Sequence, residues 1–294
     1  MGFLLAAFFG FADLGRLLAR PFLQPDPARR LFLARALAAA VGGVAAGLTT
    51  AGIKSALGPT QINELDIQLR GLPQALAGFK LVQISDVHVG PLLRKDWLAH
   101  VVGRIRELSP DMVVITGDLV DGSVRELREQ VAPLATLQAP HGVYFVTGNH
   151  DHYSGAEEWY AHLPTLGVRP LRNQRVEVAP GLDLAGIEDP TGSPDLLRAL
   201  AGRDPAKALI LLAHQPRQFA EAARHEVPLT LSGHTHGGQI WPFTWLVALA
   251  QPYVAGLHRR GASQLYVSRG TGFWGPPMRI GAPAEITLLK LQPA

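Results

Sequence analysis

From Lys80 onward the chain alternates short, β-branched apolar runs with polar turns. The runs are Leu81–Ser85, Met112–Thr116, Val143–Thr147, Ala208–Ala213 and Leu229–Ser232. Near-continuous apolar runs of this length predict strands buried on both faces. Helical periodicity lies between several of them. Trp97, Val101, Val102, Ile105 and Leu108 form one apolar stripe, with weaker patterns over Val124–Leu137 and Phe219–Ala223. Later segments alternate more strictly: Arg175–Val178, Leu182–Ile187, Gln264–Ser268 and Glu285–Leu291. They predict strands of an accompanying sheet. The sum is an α/β domain of layered, sandwiched sheets.

The first 57 residues have another pattern. Gly2–Phe11 is apolar but too short to span a bilayer, and it begins abruptly, as the end of a longer hydrophobic region would. A stretch with Arg16, Arg20, Arg29, Arg30 and Arg35 comes next, and then Ala36–Ile53 carries no charge at all. That run meets the lower length limit for a membrane helix, and Gly43 with Gly47 gives a small-xxx-small spacing suited to helix packing. Two other readings stand beside the membrane helix. Arg29-Arg30 before an apolar run resembles a twin-arginine export signal, and a buried helix of a soluble protein has the same composition. Both membrane readings keep the arginines cytoplasmic and place the chain beyond Lys54 on the extracytoplasmic side. The expected division is a hydrophobic membrane leader at 1–57, a linker and first strand at 58–79, and a catalytic domain at 80–294.

Composition narrows the chemistry. Only 17% of residues are charged and the net charge is +3. With five arginines concentrated in the leader, no basic stripe interleaved with aromatics remains to suggest a nucleic-acid partner. There is no cysteine, which removes disulfides, thiolate nucleophiles and thiolate-bound zinc.

Each of the five apolar runs ends in metal-ligand residue types. Asp86-x-His88 follows the first and Gly117-Asp118 the second. Gly148-Asn149-His150-Asp151 follows the third, His214 the fourth, and Gly233-His234-Thr235-His236 the fifth. In open α/β sheets ligands bind beyond the carboxyl ends of the strands, where such loops converge. In extended chain, residues i and i+2 face the same way, so Asp86 and His88 are expected to chelate together and His234 and His236 to line the site as a pair. Carboxylate, imidazole and amide oxygen without thiolate suit two divalent ions of Mn, Fe or Zn. Two ions about 3.5–4 Å apart clamp an in-line displacement at phosphorus and lower the pKa of a bound water toward about 7, supplying hydroxide.

The order Asp86-x-His88, Gly117-Asp118-x-x-Asp121, Gly148-Asn149-His150-Asp151, His214, Gly233-His234-Thr235-His236 resembles the calcineurin-like metallophosphoesterase superfamily. The resemblance runs from about Leu81 to Leu291. Gly233–Ile240, with Tyr266-Val267-Ser268-Arg269-Gly270, is similar to the membrane-associated or exported bacterial branch that includes YkuE-like and YaeI-like phosphoesterases. The resemblance implies a four-layer α/β/β/α sandwich. It further implies that Asp86, His88 and His236 hold one metal, that Asn149, His214 and His234 hold the second, and that Asp118 bridges them. His150 falls at the general acid's position, with Asp151 orienting it. Gly122 stands where phosphoprotein phosphatases of the superfamily have arginine, which argues against that substrate class.

The expected activity is hydrolysis of a phosphomonoester or phosphodiester, lipid-linked esters included. Two alternatives differ in kind: a UDP-2,3-diacylglucosamine-type pyrophosphatase of lipid A synthesis, and an inactive metal-binding scaffold. His100, His141, His162, His225 and His258 have no ligand-like neighbours in sequence and are expected at the surface. His152 reads as a substrate contact or an exposed turn residue, and Arg269 as a phosphate contact or an ion-pair partner. The run Ile240–Ala255, with Trp241, Phe243 and Trp245, reads either as core or as a membrane-facing lip beside the site.

Overall fold

The computed structural model describes residues 27–294 and, before them, Ala6, Phe9, Gly10 and Asp13. Most of Gly2–Phe11, with Arg16 and Arg20, therefore lies outside the described residues. The helix α1 (Pro27–Leu57) is long and apolar enough to cross a membrane. It extends beyond the uncharged run at both ends because alanine and leucine continue on either side.

Twelve strands follow among the described residues, in two six-stranded sheets. The first has the order β1 (Gln61–Leu69), β12 (Glu285–Pro293), β2 (Phe79–Ile84), β3 (Met112–Thr116), β4 (Val143–Val146), β5 (Val168–Pro170). The second runs β10 (Gly256–Arg260), β11 (Ser263–Val267), β9 (Leu229–Ser232), β8 (Ala208–Leu212), β7 (Leu182–Gly186), β6 (Gln174–Ala179).

Helices α2 (Lys95–Glu107), α3 (Val124–Val131), α4 (Asn149–Tyr153) and α5 (Ala156–His162) follow strands of the first sheet. Helices α6 (Leu196–Leu200) and α7 (Phe219–Arg224) follow β7 and β8 of the second. The pattern predicted over Val124–Leu137 divides into α3 and a 3₁₀ turn at Ala132–Thr136, because Pro133 offers no N–H to continue the helix.

The four layers follow from strand periodicity. In β3, Val113 and Ile115 pack with Val101 and Ile105 of α2, while Met112 and Val114 face the other sheet. In β8, Ile210 and Leu212 face the first sheet, while Leu209 and Leu211 pack with Phe219 and Ala222 of α7. Strands with two buried faces read as continuous apolar runs, and this holds in both sheets. For that reason the predicted grouping needs correction. The five apolar runs divide between the sheets, and the alternating segment at Glu285 is β12. It sits inside the first sheet, antiparallel to β2 and parallel to β1. Strands β2, β3 and β4 are mutually parallel, as are β7, β8 and β9. Their carboxyl ends carry the candidate residues.

Candidate metal centre

Past the end of β2 the backbone leaves the extended conformation. Asp86 and His88 both have φ of 51°, so their shared direction comes from left-handed backbone and not from the pleat expected from sequence. Asp118 (52°), His234 (71°) and His236 (52°) do the same. Among the described residues nine non-glycine positions have positive φ, and five of them are candidate ligands. Each such residue costs about 1–3 kcal/mol, and strain of this kind gathers where function holds it. Here the loops are fastened by hydrogen bonds: Asp86 N–H to Gly117 O at 3.0 Å, His88 N–H to Asp118 O at 3.1 Å, Gly233 N–H to His214 O at 2.9 Å.

Three groups of ligand atoms result among the described residues. Asp86, His88 and His236 form the first; Asp118, His214 and His234 form the second; and His88, Asp121 and His150 form a third. In the first, Nε2 of His88 and of His236 are 3.1 Å apart, and Asp86 Oδ1 lies 3.4 Å from His236 Nε2. In the second, Asp118 Oδ2 lies 3.2 Å from His214 Nε2, and His234 Nδ1 lies 3.1 Å from Asn149 Oδ1. Asp118 Oδ2 is also 3.9 Å from His88 Nε2, so this one oxygen faces the first two groups. Its other oxygen accepts the backbone N–H of His150 at 2.8 Å. His234 and His236, expected as a pair, divide between these two groups.

The donor set fits cations. His214 Nδ1 donates to Thr116 O at 2.8 Å, which leaves Nε2 as a bare lone pair. That atom is buried, has no hydrogen-bond partner, and points at a carboxylate oxygen. Two facing acceptors need a positive charge between them. In a metal-free site a proton supplies it: burial opposes the charge, but the carboxylates of Asp118, Asp86 and Asp189 carry the His214 imidazole up to about 10. Burial would raise Asp118, yet His214, His88 and His150 hold it well below the usual carboxylate range. Burial and the neighbouring His214 push His234 down to about 4, so this ring stays neutral and able to ligate.

Close approach explains two glycines. A Cβ on Gly148 would run into the Asp118 carboxylate, and one on Gly233 into Ser85 Oγ and Asp86 Oδ2.

His150 and Asp151 separate in role. His150, half-buried, has Nδ1 2.7 Å from Asp121 Oδ1. The carboxylate against the His150 ring is therefore Asp121, where the resemblance implied Asp151. Asp151 is wholly buried and accepts backbone N–H groups from Gly148 and Asp118 at 2.8 Å, Leu119 at 2.9 Å and Val120 at 3.2 Å. As the third residue of α4 it turns back to the helix start, away from its neighbour His150. Burial and the Asp118 charge push its carboxyl up to about 7. Asp121 Oδ1 also accepts from His88 Nδ1 at 3.0 Å. Burial would raise Asp121, but the hydrogen bonds from His150 and His88 hold it at about 2. Its signal in sequence was its place three residues after Asp118.

Other expectations resolve locally. Arg269 pairs with Glu285 at 3.4 Å. His152 Nε2 lies 3.1 Å from Thr147 Oγ1. His100 and His225 are exposed, whereas His141 is partly buried, with Nδ1 2.7 Å from Val178 O. Sequence reasoning missed Arg279, which is 2% exposed. Its side chain donates to the carbonyls of Gly272 and Ala282, and its Nη2 lies 3.2 Å from His236 Nδ1. Burial lowers it to about 10 despite Asp86 and Glu285. The Ile240–Ala255 segment is not core. It contains α8 (Thr244–Ala250), which has no buried residue.

Comparison with known proteins agrees with this geometry. A family model described as calcineurin-like phosphoesterase matches residues 79–238. An uncharacterized metallophosphoesterase of Helicobacter pylori is 41% identical over 250 residues, covering 82% of this chain and 66% of that protein. A Danio rerio protein named transmembrane protein with metallophosphoesterase domain is 38% identical over 269 residues, covering 85% and 62%. The uncharacterized metallophosphoesterase YkuE of Bacillus subtilis is 34% identical over 269 residues, covering 85% and 94%. The alignment thus spans just under two thirds of the first two relatives and nearly all of the third. By this match and by the residues it includes, the chain belongs to the calcineurin-like phosphoesterase family.

Proposed function

We propose that this chain is a membrane-associated, dinuclear metal-dependent phosphoester hydrolase acting on phosphomonoesters or phosphodiesters. The observation that carries it is Asp118 Oδ2, placed between the His88 and His214 rings and facing a bare, buried nitrogen. On this reading Asp86, His88 and His236 hold one divalent ion, Asn149, His214 and His234 the other, and Asp118 both. The ions, of Mn, Fe or Zn type, supply charge for the phosphoryl oxygens and lower the pKa of an attacking water. The chain's own residues do the rest. Asp121 fixes the His150 ring through Nδ1 and leaves its other nitrogen to give a proton to the leaving oxygen. The His234 backbone N–H, 2.9 and 3.0 Å from the Asp86 oxygens, holds that carboxylate in place. Neither the pyrophosphatase nor the scaffold alternative gains an observation of its own.

Membrane association rests on α1 and on the name of the Danio rerio relative. Arg16, Arg20, Arg29, Arg30 and Arg35 precede the uncharged run, so the catalytic domain is read on the extracytoplasmic side. The activity is tested by loading the full chain with Mn, Fe or Zn in turn and following a chromogenic monoester and diester before and after chelation. Turnover that is lost with chelator and restored by metal supports the reading; no turnover with any of the three metals overturns it. The side is tested by a reporter active only outside the cytoplasm, fused after Ala294. An inactive fusion reverses the topology.

A further inference from the structure

The helix α1 does more than precede the domain. Val41, Ala45, Gly52 and Ala56 are its buried residues, one stripe along its second half. Ala45 and Leu48 pack with Ile240, Met278 and Ile280. The Arg279 N–H donates to Gly52 O at 2.9 Å, and a Cβ at Gly52 would meet Met278 Cγ at 2.5 Å. Ala56 packs with Leu93 and Phe273. At Gly52 the stripe must be small, because the Met278 and Ile280 side chains and the Arg279 backbone come up against it.

This docking fixes where the domain sits if α1 spans a bilayer. The uncharged run Ala36–Ile53 rises about 27 Å at 1.5 Å per residue, close to the roughly 30 Å of hydrocarbon. Ala45 lies about 12 Å along the helix from Ile53 on the same rise. The residues packed on Ala45 and Leu48 are therefore carried below the level of the membrane surface. The residues beside that contact are suited to it. Trp241 N–H donates to Ile280 O at 2.9 Å, and the Trp241 and Trp245 rings lie 5.9 Å apart. Trp241, Phe243, Trp245, Leu246, Leu249 and Trp274 are all exposed, Leu249 to 85%. Large exposed apolar side chains grouped on one face mark a surface that is covered in use, and tryptophan favours the headgroup boundary.

The same face reaches the candidate site. The Gln239 side chain joins the two lip segments, donating to Trp274 O at 2.7 Å and accepting Trp274 N–H at 3.0 Å. The Trp274 ring centroid is 5.9 Å from that of His150. Resting on the hydrolase reading above, we propose that the Ile240–Ala250 lip and Trp274 seat in the bilayer beside α1, so that the site takes the phosphoester of a membrane lipid headgroup. Water adds its oxygen to phosphorus, the bond from phosphorus to the leaving alcohol oxygen breaks, and that oxygen takes its proton from His150. One alcohol and one phosphomonoester leave, one of them still in the membrane.

The chain has no cysteine, so single labels are clean. The full chain is reconstituted into phosphatidylcholine–phosphatidylglycerol vesicles with a nitroxide on Leu249→Cys or, before β4 at the far end of the strands, on exposed Gln138→Cys. The label at 249 is expected to be relaxed by oxygen and shielded from a water-soluble nickel chelate, with the reverse at 138. A label at 249 as open to the chelate as the one at 138 overturns the proposal. In parallel, hydrolysis of vesicle phospholipid and of a soluble chromogenic diester is compared for the parent and for Trp245→Ser/Leu249→Ser. The double variant is expected to lose at least tenfold on vesicles and keep its rate on the soluble diester. Soluble turnover without any vesicle turnover overturns the lipid substrate alone; absence of both overturns the hydrolase reading with it.

Discussion

Asp121 Oδ1 lies 2.7 Å from His150 Nδ1, and the same oxygen lies 3.0 Å from His88 Nδ1. One carboxylate thus orients a candidate ligand and the candidate acid at once. Asp121→Asn replaces the double acceptor with an amide and frees both rings to turn. The expected loss in kcat is about 10–100-fold, in the range seen when an orienting partner of a metal-bound histidine is removed. Steady-state kinetics together with metal content check this. A rate within twofold of the parent removes Asp121 from both tasks.

His150→Ala is expected to keep the metals and lose roughly 10²–10⁴-fold on an ester with a poor leaving group. Nitrophenolate needs little protonation, so its ester suffers less. Equal losses on the two esters contradict the acid role, and loss of metal makes His150 a ligand.

Asp151 is a structural counterpart. Its carboxylate receives N–H groups from Gly148, Asp118, Leu119 and Val120 in a fully buried position. Asp151→Ala strands these donors, and a buried unsatisfied donor costs about 1–3 kcal/mol. Urea denaturation is expected to show a loss on the order of 3 kcal/mol or more. A change below about 0.5 kcal/mol, the range of ordinary surface substitutions, shows that this turn holds itself.

Gly233→Ala places a methyl group against Ser85 Oγ and Asp86 Oδ2. The fold beneath it, built on buried strands, is expected to remain, while the ion proposed for Asp86, His88 and His236 is expected to be lost. Circular dichroism with metal analysis separates the two effects, and full metal content sets the collision aside.

Much of the fold and of the candidate site was legible in the sequence. Ligand-type residues at the ends of apolar runs pointed to the candidate site, because strands buried on both faces are readable and their carboxyl ends converge. Which runs share a sheet was not legible: Leu209 and Val113 are both buried, and burial carries no sheet label. The contact of Asp121 with His150 was also hidden. The resemblance implied Asp151 as the partner of His150, but the turn of α4 sends Asp151 to the backbone. The left-handed backbone at Asp86, His88, Asp118, His234 and His236 has only a weak signature in residue type: none is glycine, and Asp and His merely enter that region more readily than most side chains. Arg279 reads as an ordinary surface arginine until the carbonyls of Gly272 and Ala282 enclose its guanidinium.

If one carboxylate, Asp118, serves two ions that together drive hydrolysis, metal content and rate must fall together when it is changed. Metal content per chain and diester turnover are therefore measured on the same Mn-titrated samples of the parent and of Asp118→Asn. Parent turnover is expected to rise with the second equivalent of metal. Asp118→Asn is expected to lose both metal and rate, by more than any single change at a non-bridging ligand. Two full equivalents and a near-parental rate in Asp118→Asn would contradict the shared carboxylate.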